Sequence, residues 1–381
     1  MMTESPAADD PRFTTQDVTG HVPPPDERPE EEMPEPIGKR LMQPRTLVSF
    51  GIAALIVLFL FRGLGIDLNE VWSRMRSADP LLYAAAFLTF YSAIVVRAVR
   101  WRMMLRRAGL SEAKGYAMPG VADTTQIIVL SLFVNCVVPA RLGDAYRSFL
   151  LKERNSASFG VSFGTILAER LIDIVVMVGV VLAAGAVVFG TNVPGRAEQA
   201  FLLGLVVVVV GLIGVVVLFR FRSRIENRVP ERFALHFRKL NEGIFTILTR
   251  PFPYVGLGAV IWLFDGLRVY LVARSLGAEL SIPESIVVSL LSALVTIIPF
   301  TPAGVGFVEG FMIWILPQLG VARSTAVAIA LLDRSITFLS LIVIGLPLYL
   351  WNLRKTARLA KLETDGTEPD GQTPSARAPG G

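Results

Sequence analysis

The sequence predicts an all-α polytopic membrane protein, with about six transmembrane helices plus two re-entrant helical hairpins in an inverted-topology repeat. Three observations carry that expectation. Hydrophobic residues make up 52% of the 381 and charged residues only 18%, well below the roughly 25% charged share of a soluble domain. Residues 46–61, 81–96, 201–219, 252–264 and 282–300 hold almost nothing but apolar and small side chains, and several reach the roughly 20 residues a helix needs to cross about 30 Å of hydrocarbon. None alternates as a membrane-barrel strand does, so helices are the solution for these backbones.

The chain begins with an acidic leader. Residues 1–36 hold ten acidic residues against two arginines, with many prolines and few apolar side chains. Such a segment buries too little surface to offset its ordering entropy, so 1–38 reads as a disordered tail. The first apolar run starts only near residue 46, behind that leader, and is no cleavable signal peptide. The formal charge is +5 and the leader contributes −8, which leaves +13 on the remainder. That charge clusters at Lys39, Arg40 and Arg45, at Arg97, Arg100, Arg102, Arg106 and Arg107, between Arg220 and Arg250, and at Arg354, Lys355, Arg358 and Lys361. The positive-inside bias puts all four clusters in the cytoplasm. Six spans satisfy this, at about 46–66, 81–101, 159–190, 201–219, 252–272 and 325–351, with both termini cytoplasmic in a cell membrane. The membrane domain is then 39–360, and the polar 361–381 reads as a second disordered tail.

Two apolar stretches remain. A full crossing at 121–140 would put Arg141, Arg147, Lys152 and Arg154 outside, so 121–152 reads as a re-entrant hairpin dipping in from the cytoplasm. By the same counting 282–319 dips in from the other side, broken at its centre between Pro299 and Gly306. Non-helical backbone at that depth is tolerated only where protein or a water-filled cavity surrounds it. The hairpins look like copies. PARLG at 139–143 matches PAGVG at 302–306 in spacing, and Glu169-Arg170 and Asp333-Arg334 follow the two prolines, by 31 and 32 residues to the arginine. Broken helices in an inverted repeat mark a transport or binding site near the midplane. Elsewhere, Phe233, Phe237, Leu240, Ile244 and Ile247 recur at helical spacing. Residues 231–248 are therefore either an interfacial helix on the cytoplasmic leaflet or a connector docked on the bundle.

Ionisable groups inside spans cost roughly 2.5–3.5 kcal/mol each at a helix centre, so each asks for a reason. The spans supply Glu169, Arg170 and Asp173, then Asp265 and Arg268, then Asp333 and Arg334; the hairpins supply Asn135, Arg141, Asp144, Arg147, Thr296, Thr301 and Glu309. Arg170 and Asp173 share a helix face, so a structural ion pair competes with a site role, and Asp265 and Arg268 repeat the spacing. Asp333 and Arg334 diverge, which favours a cavity-facing role for at least one. Arginine's planar fork binds phosphate bidentately and stays charged when buried. Arg141, Arg147, Arg170 and Arg334 would thus make an electropositive pocket for a lipid headgroup phosphate. The competing reading lets them snorkel to the interface, Arg147 above all. A single cysteine, Cys136, excludes an internal disulfide and a cysteine zinc cluster and reads as an inert buried thiol. No cofactor or metal is expected.

The string NCVVPARLGDAYR from Asn135 to Arg147, followed by AERLID from Ala168 to Asp173, resembles the lysylphosphatidylglycerol synthase transmembrane-region family, also called the flippase-like domain family. PFTPAGVGFVE from Pro299 to Glu309, with LDR ending at Arg334, is similar to the second signature of that family, and RAVRW from Arg97 to Trp101 to its early motif. The resemblance covers about 45–355. It implies a lipid-handling membrane protein, bacterial inner-membrane or archaeal, which in some members moves aminoacylated phosphatidylglycerol between leaflets. It also puts Arg141, Asp144, Arg147, Glu169, Arg170, Asp173, Glu309 and Arg334 at signature positions. After Trp351 there is only a short polar stretch, with no room for the aminoacyl-transferase domain of full-length synthases, so lysyl transfer is not expected.

Three functions fit. The first is a translocator for a phosphate-bearing lipid. No GxxxxGK[ST] loop is present, so movement would be downhill or ion-coupled through Glu169, Glu309 or Asp333. The second is a membrane transferase on a polyprenyl-phosphate lipid, which would need a metal-binding carboxylate cluster, whereas the acids here sit mostly beside arginines. The third is a non-catalytic partner of a separately encoded lipid synthase, which would not require intramembrane arginines. The expectation is the first: a non-enzymatic protein whose partners are an anionic phospholipid and the membrane, with no nucleic acid.

Overall fold

A computed structural model describes residues 68–112, 115–138, 142–189, 231–296 and 301–365, with single positions at 51, 206, 209, 210, 213, 214, 217 and 220. The expected spans at 46–66 and 201–219 lie almost wholly outside these residues, as do the leader, Arg141 and the chain beyond Asp365.

Every regular element among the described residues is helical. They are α1 (Leu68–Arg76), α2 (Pro80–Arg107), α3 (Val121–Val137), α4 (Gly143–Asn155), α5 (Phe159–Phe189), α6 (Glu231–Leu248), α7 (Phe252–Ser275), α8 (Ile282–Val295), α9 (Phe307–Ile315), α10 (Arg323–Arg334) and α11 (Ser340–Asp365). Four stretches are long and apolar enough to cross a membrane: Pro80–Arg107, Phe159–Val188, Phe252–Ser275 and Arg323–Lys355. They fall on four of the six expected spans. α3, α8 and the segment Phe307–Leu319 are apolar but shorter. α11 runs to Asp365, a few residues into the segment expected to be tail.

Local chemistry sets the helix starts. The Asp79 carboxylate accepts from the Leu81 and Leu82 amides at 2.8 and 3.1 Å, and Pro80 occupies the first turn, where its missing N–H leaves nothing unpaired. The Asp79 amide donates to the Ser275 carbonyl at 2.8 Å, which ties the start of α2 to the end of α7. Among the described residues, those two helices also share the most extensive contact. α8 starts on a reciprocal Ser281–Glu284 capping box.

Lipid competes for apolar surface, so close shape-matched packing holds such helices together. Ala326, Ala328 and Ala330 are fully buried along α10. α6 crosses α5 through bare backbone: a Cβ on Gly243 would sit 2.3 Å from the Val161 carbonyl oxygen, and one on Gly164 2.3 Å from that of Leu240. α6 thus docks on the bundle, with Ile247 fully buried.

The helix break expected between Pro299 and Gly306 is present. α8 ends at Val295 and α9 begins at Phe307, and Ala303, Gly304 and Gly306 take positive φ of 49°, 68° and 88°, a region open to glycine at little cost. α3 and α4 are interrupted likewise between Val137 and Gly143. A Cβ at Gly143 would lie 2.0 Å from the Ser131 carbonyl oxygen, so only glycine allows that approach. Between α10 and α11, Ser335–Leu339 form a π turn, flanked by hydrogen bonds of Tyr83 to Ser335 and Tyr91 to Ser340 at 2.7 and 2.8 Å.

Candidate functional site

A cavity of about 530 Å³ opens where these interrupted helices meet. Of the residues singled out in the sequence, Asn135, Asp144, Arg170 and Asp173 line it from one half of the chain, and Thr301, Asp333 and Arg334 from the other. Thr296, Asp265 and Arg268 are also in the wall. Arg147, Glu169 and Glu309 stand behind it, and Arg141 lies outside the described residues.

Each half builds its side from the same parts. In the first, Arg170 of α5 donates to both Asp144 oxygens, from Nε at 3.1 Å and from the terminal nitrogen at 2.8 Å. Asp144 sits in the first turn of α4, and the preceding Gly143 amide donates to the Asn135 side chain at 2.9 Å, which fastens α4 to α3. In the second half, Arg334 at the end of α10 donates to Glu309 in the first turn of α9 at 2.7 Å and to the Ala303 carbonyl at 3.0 Å. The other Glu309 oxygen accepts the Gly306 amide at 2.6 Å. An arginine thus grips the first-turn acid of the helix beyond each interruption.

The neighbouring acid is held from elsewhere. Glu169 accepts from Arg100 of α2 at 2.8 Å and from Arg147, whose guanidinium lies 4.1 Å from the centre of the Trp101 ring. Arg100 also donates to Asp173 at 2.6 Å, and the Trp101 indole to the Thr165 hydroxyl at 3.1 Å. Asp333 correspondingly accepts from Arg268 of α7. Asp265 is held less closely, 3.6 Å from Arg268 and 3.8 Å from Arg97. Thr301 turns inward, its hydroxyl donating to the Val305 carbonyl at 2.9 Å.

Two competing readings fall, and two expectations need correction. Arg170 and Asp173 do not pair with each other, because Arg170 points to α4 and Asp173 to α2. Arg147 does not snorkel: it is buried between Glu169 and Trp101. The pocket is not electropositive, since the described wall carries four arginines (Arg97, Arg170, Arg268, Arg334) and four aspartates (Asp144, Asp173, Asp265, Asp333). Arg97 and Arg100, counted with the cytoplasmic cluster, are part of α2, which takes Arg97 to the cavity and Arg100 into the interior.

Arg97, Arg100 and Trp262 are the residues that sequence reasoning missed as parts of the site. Arg97 and Arg100 were legible as one turn of an apolar helix carried further, but as arginines they also fitted the cytoplasmic tally.

Comparison with known proteins adds a family. A family model described as the lysylphosphatidylglycerol synthase TM region matches residues 46–345. A UPF0104 membrane protein of Methanocaldococcus jannaschii is 30% identical over 220 residues, 56% of this chain and 92% of its own length. Another, from Methanothermobacter thermautotrophicus, is 24% identical over 326 residues, 78% of this chain and 92% of its own length. Glycosyltransferase AglD of Haloferax volcanii is 27% identical over 332 residues, 77% of this chain but only 52% of that protein.

Proposed function

This chain belongs to the lysylphosphatidylglycerol synthase transmembrane-region family, and from that premise we propose that it is a non-enzymatic translocator for a phosphate-bearing lipid. The observation that carries the reading is the shared cavity: Arg170 and Arg334, one from each half, both line it while each holds the acid of its own interrupted helix. In this reading α3–α4 and α8–α9 are re-entrant hairpins entering from opposite faces of a cell membrane, with six spans in all and both termini cytoplasmic. Each Arg–acid pair is a latch on one hairpin. A lipid phosphate in transit competes with Asp144 or Glu309 for the arginine fork, and a hairpin whose latch is released opens the cavity to its side. Movement is downhill or ion-coupled. Of the coupling candidates, Glu169 is engaged by two arginines, which leaves Glu309 and Asp333.

One observation favours a second reading. The chain matches about half of a relative named a glycosyltransferase, which suits a membrane partner of a separately encoded lipid synthase, or a transferase on a polyprenyl-phosphate lipid.

The test is a sealed liposome carrying fluorescent phosphatidylglycerol in both leaflets, exposed to an impermeant quencher. The translocator gives quenching well beyond the half accessible from outside, and Arg170→Ala and Arg334→Ala reduce it. Quenching fixed at half for wild type, with anionic and aminoacylated lipids and an ion gradient applied, overturns the reading in favour of the second.

A further inference from the structure

We propose that the resting site for the substrate phosphate lies in a corner of this cavity made by Arg97 of α2 with Arg268 and Trp262 of α7: an oxyanion subsite distinct from the Arg170 and Arg334 latches. The proposal deepens the translocator reading and rests on it.

Four arginines face the cavity, and three are committed. Arg170 is bidentate on Asp144, Arg334 holds Glu309 and a backbone carbonyl, and Arg268 holds Asp333. Arg97 is different. Its nearest carboxylate, Asp265, is 3.8 Å away, beyond hydrogen-bond range, and 16% of its side chain remains accessible.

Two further donors of wall residues have no acceptor among the described residues. They are the Nε of Arg268 and the indole N–H of Trp262, each in a wall residue more than nine-tenths buried; both atoms are closed off in this conformation, so an anion reaches them once Asp265 gives way. A buried donor left unpaired costs about 1–3 kcal/mol. A tetrahedral oxyanion, with several acceptor oxygens and a negative charge, satisfies donors of this kind together.

Asp265 marks the place. It stands between the two arginines at 3.6 and 3.8 Å, outside hydrogen-bond range of both. A phosphate displaces it and leaves it facing the rest of the headgroup. Arg170 and Arg334 then serve as positioning residues for the hairpins until the phosphate moves.

The test uses the full-length protein in detergent with fluorescent phosphatidylglycerol, fluorescent diacylglycerol as the phosphate-free control, and inorganic phosphate as competitor. Arg97→Gln should weaken phosphatidylglycerol binding by about ten-fold, the loss expected for a charge-assisted hydrogen bond, and leave diacylglycerol unchanged. Arg97→Lys, which keeps the charge but not the fork, should fall between wild type and Arg97→Gln. Trp262→Phe, which removes one N–H and keeps the ring, should weaken binding about three-fold. All three should unfold near the wild-type temperature. Competition by inorganic phosphate would support recognition of the oxyanion alone, and Arg97-dependent binding without it would support recognition of the lipid-borne phosphate. Wild-type binding and transport in Arg97→Gln would overturn the inference and leave the translocator reading intact. Arg97-dependent binding by a protein that moves no lipid would support the subsite and overturn the translocator.

Discussion

Around Glu169, two arginines and two acids are packed into the interior with only Asp173 touching the cavity; around Asp265, two arginines and two acids all stand in its wall. The parts list is the same, and the settings differ. Arg100 reaches Glu169 and Asp173 at 2.8 and 2.6 Å from full burial, whereas Asp265 is separated from its arginines by 3.6 and 3.8 Å and keeps 15% accessibility. Buried charges are tolerable only when fully paired. The first cluster is held at hydrogen-bond distance, although the Nε of Arg100 and of Arg147 has no acceptor among the described residues, and reads as a brace joining α2, α4 and α5; the second reads as a group whose pairings can be exchanged. Chemical composition alone does not separate a strut from a site; burial and distance do.

The sharpest break in that comparison is Glu169→Ala. It strands Arg147 in the interior and leaves Arg100 with Asp173 alone, and a broken buried pair costs about 3–5 kcal/mol, so a large fall in the thermal midpoint and in folded yield is expected. An unchanged midpoint with lost transport would move Glu169 from brace to site. Arg100→Lys is milder. One ammonium cannot reproduce a fork shared between Glu169 and Asp173, and about 1.5–3 kcal/mol should be lost, read as a lower midpoint in detergent. Asp265→Asn should cost least, under about 1 kcal/mol, because neither arginine depends on it closely. If Asp265→Asn unfolds the protein as readily as Glu169→Ala, the two clusters are alike after all.

The sequence disclosed the helical class, four helices long and apolar enough to span, and the position of the helix break, since apolar length and Pro/Gly placement act locally. Of the pairs whose spacing repeats around PARLG and PAGVG, Arg170, Asp333 and Arg334 do line one cavity, while Glu169 stands behind it. The sequence did not disclose who pairs with whom. Arg170 and Asp173 share a face by helical periodicity, yet each is taken by a different neighbour, a matter of tertiary packing that spacing cannot encode. Arg100 was hidden for a related reason: a charge at the end of an apolar run looks like a boundary until its partners, sixty-nine and seventy-three residues away, are known.

The evenly matched wall has an electrical consequence. A membrane potential does work only on net charge that moves, about 2.3 kcal/mol per elementary charge per 100 mV. Four arginines against four aspartates cancel in that sum. In the translocator reading, such a wall moving unloaded as one body carries no net charge through the field, and the return stroke is electrically silent. Any voltage sensitivity of transport then belongs to the cargo: a zwitterionic headgroup would cross without current, and an anionic one would carry its own.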